Sequence, residues 1–515
     1  MVELSLMWGA RAKAPSTEAT QYISSISFDD RIALDVVRIN IAHLLMLVKQ
    51  GIIGKDDGRA IYGVLRRLLQ GFELKRELED VHMCIEEEVI KEVGAGIGGK
   101  LHIGKSRNDQ VATALRMRAK RFVVELASEL LKFREVLLGL SERHVDTAMP
   151  GYTHLQHAQP VTLAHYLLAY HDKFERDFHR LLDVYHRIDE SPMGSAALAG
   201  SSFNLDREYV AKLLGFSRVQ ENTIDAVSDR DFMIETAFAA AMVMAHLSEL
   251  AEELILWSSW EFGFAELPDA YSSTSSIMPQ KRNPVVAEVV RARASHVMGM
   301  LLSALDILRR LPMSYNLDLQ EVTPPVWLSV EEALRALKIM RGAVEGLEFD
   351  VKRMYEAAEL GFSTATELAN ELVQRFNLSF RIAHRIVGRM VKEAVDRGLS
   401  PREVTPQMLE EAARQEGVAI KVDERLLRDC LSPEVCIARC KVVGGPSRGS
   451  VSHMINRRRL ELSRDLEVLL GMKKALEEID VVMESEAKRL EVARVEGGAA
   501  LRQAQVGGEG DPRRP

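Results

Sequence analysis

Leu115, Ala119, Phe122, Leu126, Leu130, Phe133, Leu137 and Leu140 recur at alternating spacings of three and four residues. That period lays an apolar stripe along one face of a long helix, and it is incompatible with the two-residue repeat of a strand. Four more patterns of the same kind follow. They cover residues 163–188, ending before Ser191-Pro192; residues 230–262, rich in small side chains from Ala237 to Ala245; residues 285–311, stopped by Pro312; and residues 326–345, after Pro324-Pro325. A helix of about 25 residues is roughly 37 Å long. Four or five of them side by side make an elongated bundle, with seams available for association between subunits. Strand signals are scarce, so the expected fold class is all-α.

The flanks differ from this centre. Residues 1–110 carry shorter helical patterns broken at Gly51, Gly54, Gly71 and the Gly94–Gly99 cluster. Residues 358–495 are again short units, broken at Pro401, Pro406, Pro433 and Gly444-Gly445-Pro446, before a charged helix over about 450–494. The expected division is 1–110, 111–357 and 358–495. The Gly-rich polar tail 496–515 is expected to be disordered.

A chain of 515 residues with 47% hydrophobic and 28% charged residues can bury a large core. Its net charge of −8 and lack of a basic run argue against nucleic acid as a partner. The longest apolar stretch, Ala237–Ala245, is bounded by Glu235 and His246, so it reads as a buried helix and not a membrane span. The first fifteen residues lack a charged segment followed by an apolar one, and a cytoplasmic protein is expected. Cys84, Cys430, Cys436 and Cys440 lack paired zinc spacing and read as reduced structural thiols.

Four polar clusters interrupt the helical scaffold. Lys100–Gln110 (KLHIGKSRNDQ) places Lys105, Ser106, Arg107, Asn108 and Asp109 just before the first long helix. Ser106, Asn108 or Asp109 can cap that helix, and the cations beside a helix N-terminus equally make an anion site. Gly151–Pro160 (GYTHLQHAQP) holds Thr153, His154 and His157, and its Pro can start a helix. No third ligand accompanies the two histidines, so proton transfer or a structural role is favoured over a metal. In Thr223–Phe232 (TIDAVSDRDF), Arg230 either pairs with Asp229 or Asp231 or offers its fork to a carboxylate. The fourth cluster, 270–284 (AYSSTSSIMPQKRNP), gathers hydroxyls, Lys281, Arg282 and Asn283 in a loop between two long helices. Such a loop suits holding a carboxylate and removing a proton beside it. No P-loop, G-x-G-x-x-G, H-E-x-x-H or G-x-S-x-G occurs, so nucleotide cofactors and zincin or nucleophile-elbow chemistry have no support.

All four clusters, in this order, resemble the fumarase/aspartase superfamily, whose signature loop usually reads GSS-x-MP-x-K-x-NP. HIGKSRNDQVAT, GYTHLQHAQPVTLAH, SPMGSAALAGSSF, DAVSDRDF and YNLDLQE resemble its argininosuccinate branch. The match runs from Trp8-Gly9 to about Arg458. The resemblance implies three helical domains with a central long-helix bundle, a homotetramer with active sites shared between subunits, no cofactor and no metal. It implies β-elimination of argininosuccinate to arginine and fumarate. By resemblance Ser275 is the base, steadied by Lys281 and loop amides, and His154 is the acid-side histidine with Glu288 as its charge partner. Ser25, Asn108, Thr153, Asn283, Tyr315 and Gln320 resemble substrate contacts. Arg107 and Arg230 resemble carboxylate-binding or site-ordering cations, and Asp80 an acid near the guanidinium end.

The sequence departs from the pattern at several positions. Thr274 stands for the signature Gly, Val285 for a frequent Asp, Lys105 for Arg and Ile103 for Thr. Thr323 stands where many members place a substrate-binding Lys. Two other readings are an adenylosuccinate-type lyase, which the argininosuccinate-type blocks disfavour, and a non-catalytic structural homologue, which the retained His154, Ser275, Lys281 and Glu288 disfavour.

Overall fold

The computed structural model describes residues 16–506, with side chains from 16 to 489. Trp8-Gly9, where the resemblance begins, lies outside these residues. The first part contributes α1 (Ala33–Lys49) and α2 (Val81–Val93), the latter capped by the Asp80 side chain. The bundle consists of α3 (Arg107–Arg143), a hairpin of β1 (Ala148–Thr153) and β2 (Gln156–Thr162), α4 (Leu163–Ile188) and α5 (Asp231–Trp257). A minute ladder of β3 (Ser273–Thr274) and β4 (Arg282–Asn283) follows, then α6 (Val285–Leu308) and α7 (Thr323–Glu345). The chain closes with α8 (Arg448–Val506).

The bundle helices run alternately up and down, as their contacts establish. Near the start of α3, Arg116 donates to the Arg187 and Ile188 carbonyls at the end of α4, both at 3.0 Å. The same guanidinium pairs with Asp229, just before α5. At the opposite end, Leu163 N donates to Thr147 O (2.8 Å), and Tyr166 of early α4 donates to Glu253 of late α5 (2.5 Å). Arg291 of early α6 pairs with Glu252 of late α5 at 2.5 Å. Early α7 carries Glu331, which Arg31 contacts at 2.6 Å; late α7 packs Gly342 and Gly346 against Tyr271 and Pro268. The bundle therefore has a lower end, holding the starts of α3, α5 and α7, and an upper end, holding the β1–β2 hairpin and the 258–284 loop. At 1.5 Å per residue, α5 alone separates the two by about 40 Å.

All eight seam residues of α3 are at most 2% exposed. Their cluster continues through α4, α5 and α7 and takes in α1. Residues between Leu368 and Leu431 form an apolar cluster of their own. Among the described residues no helix is long and apolar enough to cross a membrane. The four thiols are unpaired, Cys84, Cys430 and Cys436 are buried, and burial raises the pKa of each.

Several boundaries differ from expectation. The third pattern ends at Trp257, because Ser258, Ser259 and a positive-φ Gly263 turn the chain. α6 stops at Leu308, and α7 begins at Thr323, with Pro324 and Pro325 in its first turn, where no amide hydrogen is needed. Pro160 does not start a helix: it lies within β2, and Thr162 caps α4 by accepting from His165 N at 3.1 Å. α3 runs across the 110/111 boundary, and helix Val351–Leu360 across 357/358. α8 continues through Glu496, the start of the expected tail, to Val506; residues 507–515 lie outside the described residues.

Asp109 fixes how α3 begins. One carboxylate oxygen accepts from Ser106 N (2.9 Å) and completes a capping box with the Ser106 hydroxyl. The other accepts from Gly194 N (3.0 Å) and Ala196 N (2.9 Å), which ties the small-residue turn 194–200 to the helix. Burial pushes its pKa up to about 6, against the pull of those amides.

Two outcomes follow from this packing. Phe133 is fully buried and meets Phe174 edge-on, with ring centroids 4.9 Å apart. Phe133→Ala is expected to cost about 3–5 kcal/mol, read as a lowered thermal midpoint. Because the folded pKa of Asp109 lies above the unfolded value of 3.8, its contribution to stability falls as pH rises from about 4 to about 6. The penalty of Asp109→Asn is therefore expected to be larger at pH 4 than at pH 7 in denaturant titrations.

Candidate functional site

At the lower end a cleft of about 410 Å³ brings together Ser25, Asp80, Arg107, Asn108, Arg230, Tyr315 and Gln320, which are scattered over some three hundred positions of sequence. Ser25 is held from both sides: its amide donates to Glu79 O (3.1 Å) and its hydroxyl to Asp29 Oδ2 (3.0 Å). Asp80 caps α2 by accepting from Met83 N (2.8 Å), and its other oxygen meets Arg107 Nη1 at 2.9 Å. Asn108 donates to Ala197 O (3.0 Å), and Gln320 to Ile23 O (2.9 Å).

Arg230 resolves the choice left open by its sequence context. It is only 1% exposed and forms no side-chain pair with Asp229 or Asp231; its Nη1 donates to the Asp229 carbonyl at 2.8 Å. Asp229 pairs instead with Arg116 and caps the turn through Asp231 N. Among the described residues the Arg230 Nε has no partner, and burial pulls its pKa down to about 10. A buried guanidinium with an unmet donor at the wall of a cleft is suited to an anion. Burial raises the pKa of Tyr315, while Arg230 and Arg107 act to lower it and Asp80 and Glu79 to raise it, so charges of both signs lie near its ring.

The other expected residues sit at the upper end. Thr153 pairs with Gln156, and His154 and Leu155 form the hairpin tip with φ of 55° and 56°. A two-residue hairpin turn with both φ positive matches the twist of its strands and points the His154 side chain outward. Tyr152, next to the hairpin tip, packs on Phe262, with centroids 5.6 Å apart. Lys281, Asn283 and Glu288 line a second, open cleft of about 1260 Å³ together with Arg353 and Trp260. Among the described residues no hydrogen bond or ion pair joins His154 to Glu288, and both are exposed.

Ser275 lies in the loop between β3 and β4. Its hydroxyl oxygen accepts from the amides of Ile277 (3.3 Å) and Met278 (3.1 Å), and its own amide donates to Lys281 O (3.3 Å). Two amides aimed at one oxygen favour its anionic form. Arg282 anchors the loop through Glu266, Asp269 (2.7 Å) and Leu267 O (2.9 Å). Thr274 is paired with Arg282 in extended backbone, so the glycine of the usual signature is not needed there for a left-handed conformation.

Thr323 lines the lower cleft without supplying a charge. Asp29 and Glu79, also in that cleft, were not singled out by sequence; their signal is their nearness to Ser25 and Asp80 in the chain. Burial pushes the Asp29 pKa up to about 6. Among the described residues one metal-like group occurs, His171, Asp172 and Glu175. Arg458 grips Asp172 at 2.5 Å and Arg134 lies 3.5 Å from Glu175, so the group is an ion-pair network.

Comparison with known proteins identifies the family and the fold. A family profile described as Lyase matches residues 17–299, and one described as Argininosuccinate lyase C-terminal matches residues 362–438. Argininosuccinate lyase of Methanothermobacter thermautotrophicus is 42% identical over 449 residues, covering 86% of this chain and 96% of that protein. Its counterpart in Methanoculleus marisnigri is 45% identical over 467 residues, covering 89% and 93%. The crystal structure of EDDS lyase in complex with formate is 30% identical and superposes with a TM-score of 0.84 over 93% of this chain and 96% of that one. Class II fumarase from Schistosoma mansoni, 16% identical with a TM-score of 0.69 over 82% of this chain and 95% of that one, shares the fold. With such identity along nearly the whole length of its relatives, the chain belongs to the argininosuccinate lyase family of the fumarase/aspartase superfamily.

Proposed function

We propose that the chain catalyses the reversible β-elimination of argininosuccinate to L-arginine and fumarate, the last step of arginine biosynthesis, as a cytoplasmic homotetramer with shared active sites. The observation that carries this reading is the division of the site between the two ends of the bundle. Ser25, Asp80, Arg107, Asn108, Arg230, Tyr315 and Gln320 line the lower cleft, whereas Thr153, His154, Ser275, Lys281, Asn283 and Glu288 sit at the upper end. Copies laid antiparallel bring an upper end against a lower cleft. The outer face of α6 fits such contact: Met298, Leu302 (66%) and Leu305 are exposed apolar side chains on one side of a helix whose inner face is buried.

Within the joined site, Ser275 takes a proton from the carbon beside a succinyl carboxylate. Its oxygen is primed by the Ile277 and Met278 amides and by the Lys281 charge in the same loop. The carboxylate takes up the developing negative charge against Asn283, Thr153 and a cation from the lower cleft. The carbon–nitrogen bond then breaks, the double bond of fumarate forms, and His154 protonates the leaving guanidine nitrogen. With Thr323 uncharged, the remaining carboxylate contacts fall to Arg230 and Arg107.

Fumarate release from argininosuccinate tests the reading directly; release from adenylosuccinate alone overturns it. Ser275→Ala is expected to lower kcat by about 10²- to 10⁴-fold, and a wild-type rate removes Ser275 as the base. Mixing inactive His154→Asn with inactive Arg107→Gln chains is expected to restore activity, since some sites then combine an intact upper end with an intact lower cleft. Mixed oligomers that stay inactive contradict the shared site.

A further inference from the structure

We propose that Glu79, and not the neighbouring Asp80, is the carboxylate that receives the substrate's guanidinium and so selects arginine as the amine. The inference rests on the function proposed above and deepens it.

Asp80 is already committed. One oxygen caps α2 through Met83 N (2.8 Å), the other faces Arg107 Nη1 (2.9 Å), and the residue is 9% exposed. Asp29 likewise spends an oxygen on Ser25 Oγ (3.0 Å) and Val81 N (2.9 Å), which makes it a support for Ser25. Glu79 differs from both. Its side chain is 18% exposed in the cleft wall, and among the described residues its carboxylate accepts no hydrogen bond. The nearest cation, Arg107 Nη1, is 4.0 Å away, beyond hydrogen-bond reach, and is held closer by Asp80.

A mostly buried carboxylate without donors is costly unless something supplies them. Burial accordingly raises the Glu79 pKa, with Asp80 adding to the rise and Arg107 opposing it. Its backbone is nonetheless fixed: Glu79 O accepts from Ser24 Oγ (2.7 Å) and Ser25 N (3.1 Å). The side chain is thus held ready for a donor that the protein does not itself provide.

The cleft is also bipolar. Arg230, 1% exposed with an Nε unpartnered among the described residues, supplies a cation to the cleft that Tyr315, Glu79 and Asp80 also line. A ligand that answers both carries a carboxylate and, some atoms away, a cation with several N–H donors. A guanidinium presents a planar fork that meets one carboxylate with two parallel hydrogen bonds, which an ammonium cannot do.

The test uses the intact protein in the synthetic direction, from arginine and fumarate. Wild-type turnover there separates this inference from the function on which it rests. Glu79→Gln is expected to raise the KM for arginine about 10- to 100-fold, the loss of one charge-assisted contact, while leaving the KM for fumarate within about twofold. Its thermal midpoint is expected to match wild type, whereas Asp80→Asn, which disturbs a helix cap and the hold on Arg107, is expected to melt lower. An unchanged arginine KM in Glu79→Gln, or equal rises for both substrates, overturns the assignment.

Discussion

A continuous helix cannot bring its own two ends together. α5 starts beside Arg230 and finishes where the loop of Ser275 begins, and its 27 residues span about 40 Å. Its buried face, from Phe232 and Met233 through Ala240 and Leu247 to Trp257, is packed along its whole length, so bending it breaks the core. Every other bundle helix repeats the constraint in alternate direction. The residues proposed to hold substrate and those proposed to move protons are therefore kept apart in one chain by the same packing that stabilises it. Under the proposed function, association is a chemical requirement, and the apolar outer face of α6 is where the fold leaves room for it.

The lower cleft shows how a site can lose a cation and stay functional in charge. Thr323 contributes none where many relatives have lysine, and Arg107 is largely neutralised by Asp80. Arg230 is left as the strongest unmet donor. Its burial makes an approaching carboxylate worth more than it is at the surface, because little water competes for the guanidinium. Fixed backbone around Ser25, Glu79 and Gln320 keeps these groups in place before anything binds. Such preorganisation lowers the cost of ordering a flexible ligand that carries charges of both signs.

Much of this was legible in the sequence, because helical period survives any tertiary context that buries one face. The seam from Leu115 to Leu140 is buried as read, and α4 spans the residues that its pattern covers. The hairpin was not legible. Its tip uses His154 and Leu155 in left-handed backbone instead of the Asn-Gly that marks such turns, and Pro160 mimics a helix start. The polar clusters were each recognisable, but sequence order alone does not say which end of a bundle a loop occupies. Glu79 was hidden by its neighbour: in a Glu-Asp pair, only coordinates show which carboxylate is spent on a cap.

The signature loop departs from its usual sequence without losing its geometry, and the reason bears on how a serine can act as a base. Thr274 lies in a short ladder opposite Arg282, and Arg282 is pinned by Glu266 and Asp269. Those restraints hold the Ile277 and Met278 amides at the Ser275 oxygen. Backbone dipoles fixed in this way need no reorganisation when charge appears, unlike water or a long side chain. The Lys281 side chain is exposed and forms no ion pair among the described residues, so its charge is available to the proposed site. Under the proposed function the loop thus steadies its base in two ways, by amides fixed in the backbone and by the Lys281 charge.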